Sequence, residues 1–151
     1  MNPLSWIVAF RAPIEIIALL AAILPLLIIL RAWDTLPEVI PTHFGVTGRP
    51  NRWGGRWQAW ILPFLALGLY AMLSFMTGTW EWALGRQPEL PRGMELPVLM
   101  KPIMDLMMAY LSRATVRVAR KEAEGLNLWI MYGLVALLIA PGIAIAWTVK
   151  K

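Results

Sequence analysis

Cysteine is absent from the 151 residues, which excludes disulfides, thiolate metal sites and a cysteine nucleophile. Charge is scarce: Asp, Glu, Lys and Arg make up 15% of the chain, where soluble domains carry about 25%. There is a single histidine. No GxGxxG, Walker, HExxH or haem-attachment pattern occurs, so nucleotide, zinc-protease and c-type haem chemistries lack sequence support. What fills the chain is apolar: hydrophobic residues reach 59% and the mean hydropathy is +0.61. One domain of this length cannot hide so much apolar surface from water, so a lipid bilayer is the expected partner. The net charge of +5 (14 − 9) then reads as Lys and Arg flanking membrane segments.

Three runs are long enough to span about 30 Å of hydrocarbon. They are Pro13–Leu30, Trp57–Met76 and Asn127–Val149. The only charge in them, Glu15, is expected at the headgroups. Eight of the nine tryptophans bracket these runs, as an aromatic belt would: Trp6, Trp33, Trp57, Trp60, Trp80, Trp82, Trp129 and Trp147. Pro25, Pro63 and Pro141 fall one to a span, where neighbouring helices re-satisfy the backbone. The first run exceeds a signal-peptide core and has no small-x-small site after it, so an uncleaved anchor is expected.

After a polar stretch, Thr77–Glu95, a helical pattern covers residues 102 to 124, with Ile103, Met107, Tyr110, Leu111, Ala114 and Val118 on one face. Arg113, Arg117 and Arg120 flank that face, which predicts a helix lying in the membrane interface with its arginines toward lipid phosphates. No aromatic platform accompanies them, so nucleic acid is not an expected partner. The competing reading makes Leu96–Leu111 a short fourth span in which Lys101 and Asp105, four residues apart, pair with each other. With three spans, eight basic residues share the side of the N-terminus and six the other, which puts the loop 31–56 outside.

That loop is chemically dense. Pro37 and Pro41 hold extended backbone, Gly45, Gly48, Gly54 and Gly55 permit tight turns, and Pro50-Asn51 suits a type I turn. The lone His43 and the one off-belt tryptophan, Trp53, both fall there. The expectation is one ordered unit with Trp53 packed inward and His43 hydrogen-bonded within the loop. Asp34, Glu38 and His43 make a poor zinc set, and Thr42, Thr47 and Ser74 lack a triad pattern. Met104, Met107 and Met108 recur at helical spacing and read as packing. No catalytic residue, metal or cofactor is expected.

Pro41-Thr42-His43-Phe44, then Gly48-x-Pro50-Asn51-x-Trp53-Gly54 and Arg56, resembles the signature of a bacterial membrane domain of unknown function that also forms the N-terminal part of SdpI-type toxin-immunity proteins. The likeness extends more weakly over Thr115–Arg120 and Gly125-Leu126. It implies a small multi-pass protein of the bacterial inner membrane; the second half of full SdpI proteins has no counterpart here. The fold class expected is all-α and integral to the membrane: three spans, one interfacial helix and an ordered loop. The leading functional expectation is a non-enzymatic protein that binds a peptide or membrane partner through the first loop. The alternatives are an accessory subunit of a larger membrane complex and a small transporter. Against the transporter stands the expectation that no charge but the peripheral Glu15 is buried in a span.

Overall fold

Long apolar runs with good helix formers dictate most of what the computed structural model contains. It describes residues 6–86, 90 and 94–149, with the side chains at 6, 8 and 144–149 left out. The belt positions expected for Trp6 and Trp147, and the closing Lys150 and Lys151, lie outside what is described.

A short helix α1 (Trp6–Ala9) leads into α2 (Arg11–Ala32), which carries Pro25 inside it. A 3-10 turn at Trp33–Thr35 opens the loop, and strands β1 (Val39–Phe44) and β2 (Pro50–Gly55) form an antiparallel hairpin. A second 3-10 turn, Arg56–Trp60, feeds α3 (Ile61–Met76). The short α4 (Thr79–Ala83) follows, then α5 (Glu95–Ala119) and α6 (Leu128–Val149). The molecule is mostly helical, but the first loop is a β-hairpin, which corrects the all-α expectation. The turn signals were there, but alternation in the strands is masked by Pro41, Pro50 and the paired glycines.

Two helical segments, Arg11–Thr35 and Arg56–Met76, are long and apolar enough to cross a membrane, and Leu128–Ile143 is a shorter apolar helix. Their outer faces carry large apolar groups in the open: Ile16, Leu20, Phe64, Trp129 and Leu137 among them. Helices α2, α3 and α5 pack on one another as a three-helix unit, and α6 touches it through α5. Two contacts set the directions. Glu15 meets Lys101 near one end, and Ala32 shares a cluster with Ala59, Val116 and Ala119 at the other. So α2 and α5 run parallel, and α3 antiparallel to both.

The helix expected over 102–124 is this α5. It begins at Glu95, passes through Pro102 without ending, and stops at Ala119; Arg120 and Lys121 turn the chain, Lys121 with φ of 61°. It does not lie alone on a surface. Its buried stripe holds Val98, Lys101, Asp105, Ala109, Ser112 and Val116, so of the predicted face only Ala114 and Val118 are buried. Reading the apolar side chains as the inward side rotated the helix, because its interior face is small and polar.

The connection from α5 to α6 docks on the hairpin turn: the Leu126 amide donates to the Gly48 carbonyl at 2.8 Å. Gly48 sits at φ +77°, and a Cβ on Gly125 would fall 2.3 Å from that same oxygen, so both glycines are required by the close approach. The hairpin and residues 120–127 therefore share one end of the bundle. The three-span reading puts Thr77–Leu126 on the side opposite the loop, whereas in the fold Leu126 lies against the loop's Gly48.

Candidate functional site

The hairpin is built around two irregular residues. Pro41 pairs with Trp53 and His43 with Arg52, leaving Thr42 extra on β1, while Phe44 pairs with Pro50 and leaves Asn51 extra on β2. Bulged residues re-aim their side chains. Asn51 turns back to His43, whose Nδ1 donates to Asn51 Oδ1 at 2.6 Å. The Gly45 amide donates to the Arg49 carbonyl at 2.8 Å and closes the turn. Gly54 lies against Gln58 and Thr42, where a Cβ would collide.

Ile40 and Pro41 are buried beneath β1, but Trp53 is 52% exposed on the outer face, contrary to the inward packing expected of it. Packing is the reason: β1 is the strand laid on the bundle, whereas β2 is the outer strand, with Asn51, Arg52 and Trp53 all exposed. Arg56 stacks its guanidinium over Trp33 at 4.8 Å, and Trp33 in turn contacts Trp57 and Trp60.

Behind the hairpin lies a cavity of about 310 Å³. β1 roofs it with Pro41, Thr42, His43 and Phe44; helices close it with Ile29, Ala59, Leu62, Leu111, Ser112 and Thr115. Leu126 and Met131 complete the wall. Most of the wall is apolar. Ser112 is fully buried and its Oγ has no hydrogen-bond partner among the described residues, an arrangement that a ligand or a water with polar partners would satisfy. The signature residues thus divide. Pro41, Thr42, His43 and Phe44 line the cavity, whereas Gly48, Pro50, Asn51, Trp53, Gly54 and Arg56 shape the hairpin that covers it. Among the described residues no group of three His, Asp or Glu could hold a metal ion.

Arg113, Arg117 and Arg120 are exposed and line a shallow groove with Arg31 and Glu122, not an apolar edge alone. Arg120 donates to Thr35 Oγ1 and lies 3.8 Å from Glu122.

A second polar site was not expected from the sequence. Glu15, assigned to the headgroups, is 3% exposed, and both its carboxylate oxygens accept from Lys101 Nζ at 2.6 Å. Lys101, fully buried, also donates to Thr79 Oγ1 at 3.0 Å and Thr77 Oγ1 at 3.3 Å. Its expected partner, Asp105, takes no part in that ion pair. Charges are therefore buried inside the bundle, which corrects the expectation that none is. The signal that existed was the spacing of Lys101 and Asp105 in an otherwise apolar stretch; nothing local pointed to Glu15, 86 residues away.

Residues 20–67 match the family described as "Domain of unknown function (DUF1648)", a stretch covering most of α2, the hairpin and the start of α3. A protein of Archaeoglobus fulgidus, described as "Uncharacterized protein", is 50% identical over 34 residues. That segment is 22% of this chain and 19% of the archaeal protein, so the chain matches about a fifth of that relative's length. No solved structure matches. The likeness to that domain thus centres on the hairpin, and Lys101, Asp105 and Glu15 all lie outside the matched residues.

Proposed function

We propose that the chain is a multi-pass membrane protein that acts without catalysis, by binding an apolar segment of a peptide or membrane partner at its hairpin end. The observation that carries this reading is the cavity of about 310 Å³ under β1, a size at which small ligand sites begin. Its wall supplies apolar surface for burial, and Thr42, His43, Gln58 and the unpartnered Ser112 Oγ supply the few polar groups that orient a ligand. The inner-membrane, bacterial and immunity-like parts of the proposal rest on the resemblance of the loop.

In this proposal α2, α3 and α6 cross the bilayer as their apolar runs imply, and α5 crosses with them. Support comes from its 25 residues, about 37 Å of helix at 1.5 Å per residue, and from the shared end of residues 120–127 and the hairpin. Eight of the fourteen Lys and Arg then sit at the hairpin end: Arg31, Arg49, Arg52, Arg56, Arg113, Arg117, Arg120 and Lys121. Lys101 is buried in its ion pair with Glu15 near the opposite end, which holds at most five others, and the positive-inside rule turns the hairpin to the cytoplasm.

The test is photo-crosslinking in native membranes. A benzophenone side chain at Thr42, on the cavity wall, should yield an adduct of defined mass that a cavity-filling Ala59→Leu change removes, while a reporter fused at Val46 reads cytoplasmic. Adducts identical to those from Leu137 on the open face of α6 would sink the cavity as the binding site. Two other readings each have one observation behind them. The open apolar faces of α6 suit an accessory subunit packed in a larger complex. The buried charges remove the main objection to a small transporter.

A further inference from the structure

Two carboxyl groups in the bundle have one ammonium between them. Glu15 holds Lys101 Nζ on both oxygens and also accepts from Thr79 Oγ1 at 2.7 Å. Asp105 lies one helical turn along α5 from Lys101, is 1% exposed, and has no hydrogen-bond partner on either carboxyl oxygen among the described residues. The other groups turned toward this cluster are Arg11 on α2, Tyr70 and Ser74 on α3, and Thr77.

Arg11 does not supply the missing partner. Its guanidinium donates to the Thr77 carbonyl at 2.7 Å and lies over Trp82. It is one turn from Glu15 in the opposite direction, about 12 Å from Asp105 along the axis at 1.5 Å of rise per residue. Tyr70 presents its ring to Lys101 Nζ, 5.7 Å from the centroid.

An ionised carboxylate buried without donor or counter-charge is too costly to persist, and such a group takes a proton instead. The lysine has a flexible stem, and side chains four apart on a helix are neighbours, so Nζ can reach either carboxyl. We propose that Glu15, Lys101 and Asp105 form a proton-binding site in which Lys101 alternates between the two carboxyls. With Nζ on Glu15, Asp105 carries the proton. When Nζ crosses to Asp105, that O–H bond breaks and its proton passes to water, while Glu15 takes a proton from water and gains an O–H bond, donating toward the Thr79 hydroxyl. One proton departs, one arrives, and the charge of the cluster is unchanged throughout. Ser112, buried and unpartnered seven residues beyond Asp105, continues this polar line to the hairpin cavity. Ionisable groups within membrane helices mark such proton routes. The site does not depend on what the hairpin cavity binds.

Infrared spectroscopy of the full chain in bilayers of ether-linked lipids, which have no ester carbonyl, at neutral pH reads this site directly, because surface carboxylates are ionised and only a proton-carrying acid gives the carboxylic C=O band. The wild type should show that band and Asp105→Asn should lose it. Glu15→Gln decides the alternation: the freed ammonium moves to Asp105, the acid gives up its proton, and the band disappears there as well. A band that survives unchanged in Glu15→Gln belongs to a fixed structural acid and overturns the alternation. A band that persists in Asp105→Asn, or its absence from the wild type, overturns the site itself; the wild-type spectrum requires no variant to fold.

Discussion

The hairpin and the buried cluster near the other end of the bundle hold similar polar contacts in opposite surroundings. In the hairpin, His43 and Asn51 are eight residues apart and their bond is open to water, as is the Arg49–Glu124 pair at 3.5 Å. In the bundle, Lys101 gathers Glu15, Thr77 and Thr79 from 86, 24 and 22 residues away, and none of the four is more than 6% exposed. Geometry alone does not rank them. Water does: an exposed donor that loses its partner finds another, whereas a buried one keeps the full desolvation cost.

Four substitutions bear on that contrast. Lys101→Met should cost the most, about 3–5 kcal/mol, because it strands a buried carboxylate without its counter-charge. Glu15→Gln should cost less, since Asp105 is on hand to receive the ammonium, and the double variant should recover much of the Lys101→Met loss. Unfolding midpoints in detergent for the four proteins of this cycle give the coupling; strict additivity would break the comparison. Gly125→Ala should come next, at about 1–3 kcal/mol of overpacking, because its Cβ meets the Gly48 carbonyl oxygen. Faster hydrogen exchange at the Leu126 amide would localise that loss to the hairpin contact. His43→Ala should cost least, about 0.5–1.5 kcal/mol, the net worth of an ordinary hydrogen bond. A His43→Ala loss as large as that of Lys101→Met would mean the hairpin bond is shielded from water in the membrane-bound protein.

Legibility followed the same divide. Local chemistry announced an ordered loop with tight turns and a His43 bond inside it, because prolines and glycines act over a few residues. Trp53 misled, since β2 is the outer strand of the hairpin, and which strand is covered is settled by packing on the bundle. The α5 pattern misled for another reason. Ile103, Met107 and Leu111 look like a core stripe, but all three are only half-buried, Leu111 bordering the hairpin cavity. The interior then goes to small and polar residues such as Ala109 and Ser112. Counting charges span by span likewise treats Glu15 as a terminal carboxylate, when its partner is on α5, three helices later.

Composition and apolar run length alone determined that the chain is mostly helical with membrane-length segments, because helix is the form that satisfies every backbone group within one segment in lipid. Local turn chemistry determined where the ordered loop lies. Only the tertiary structure decided that the loop is a bulged hairpin tied to Leu126, that α5 packs between α2 and α3, and that Glu15, Lys101 and Asp105 meet. Those outcomes depend on which helix faces turn toward each other, a choice made by long-range packing and charge burial that no window of neighbouring residues contains.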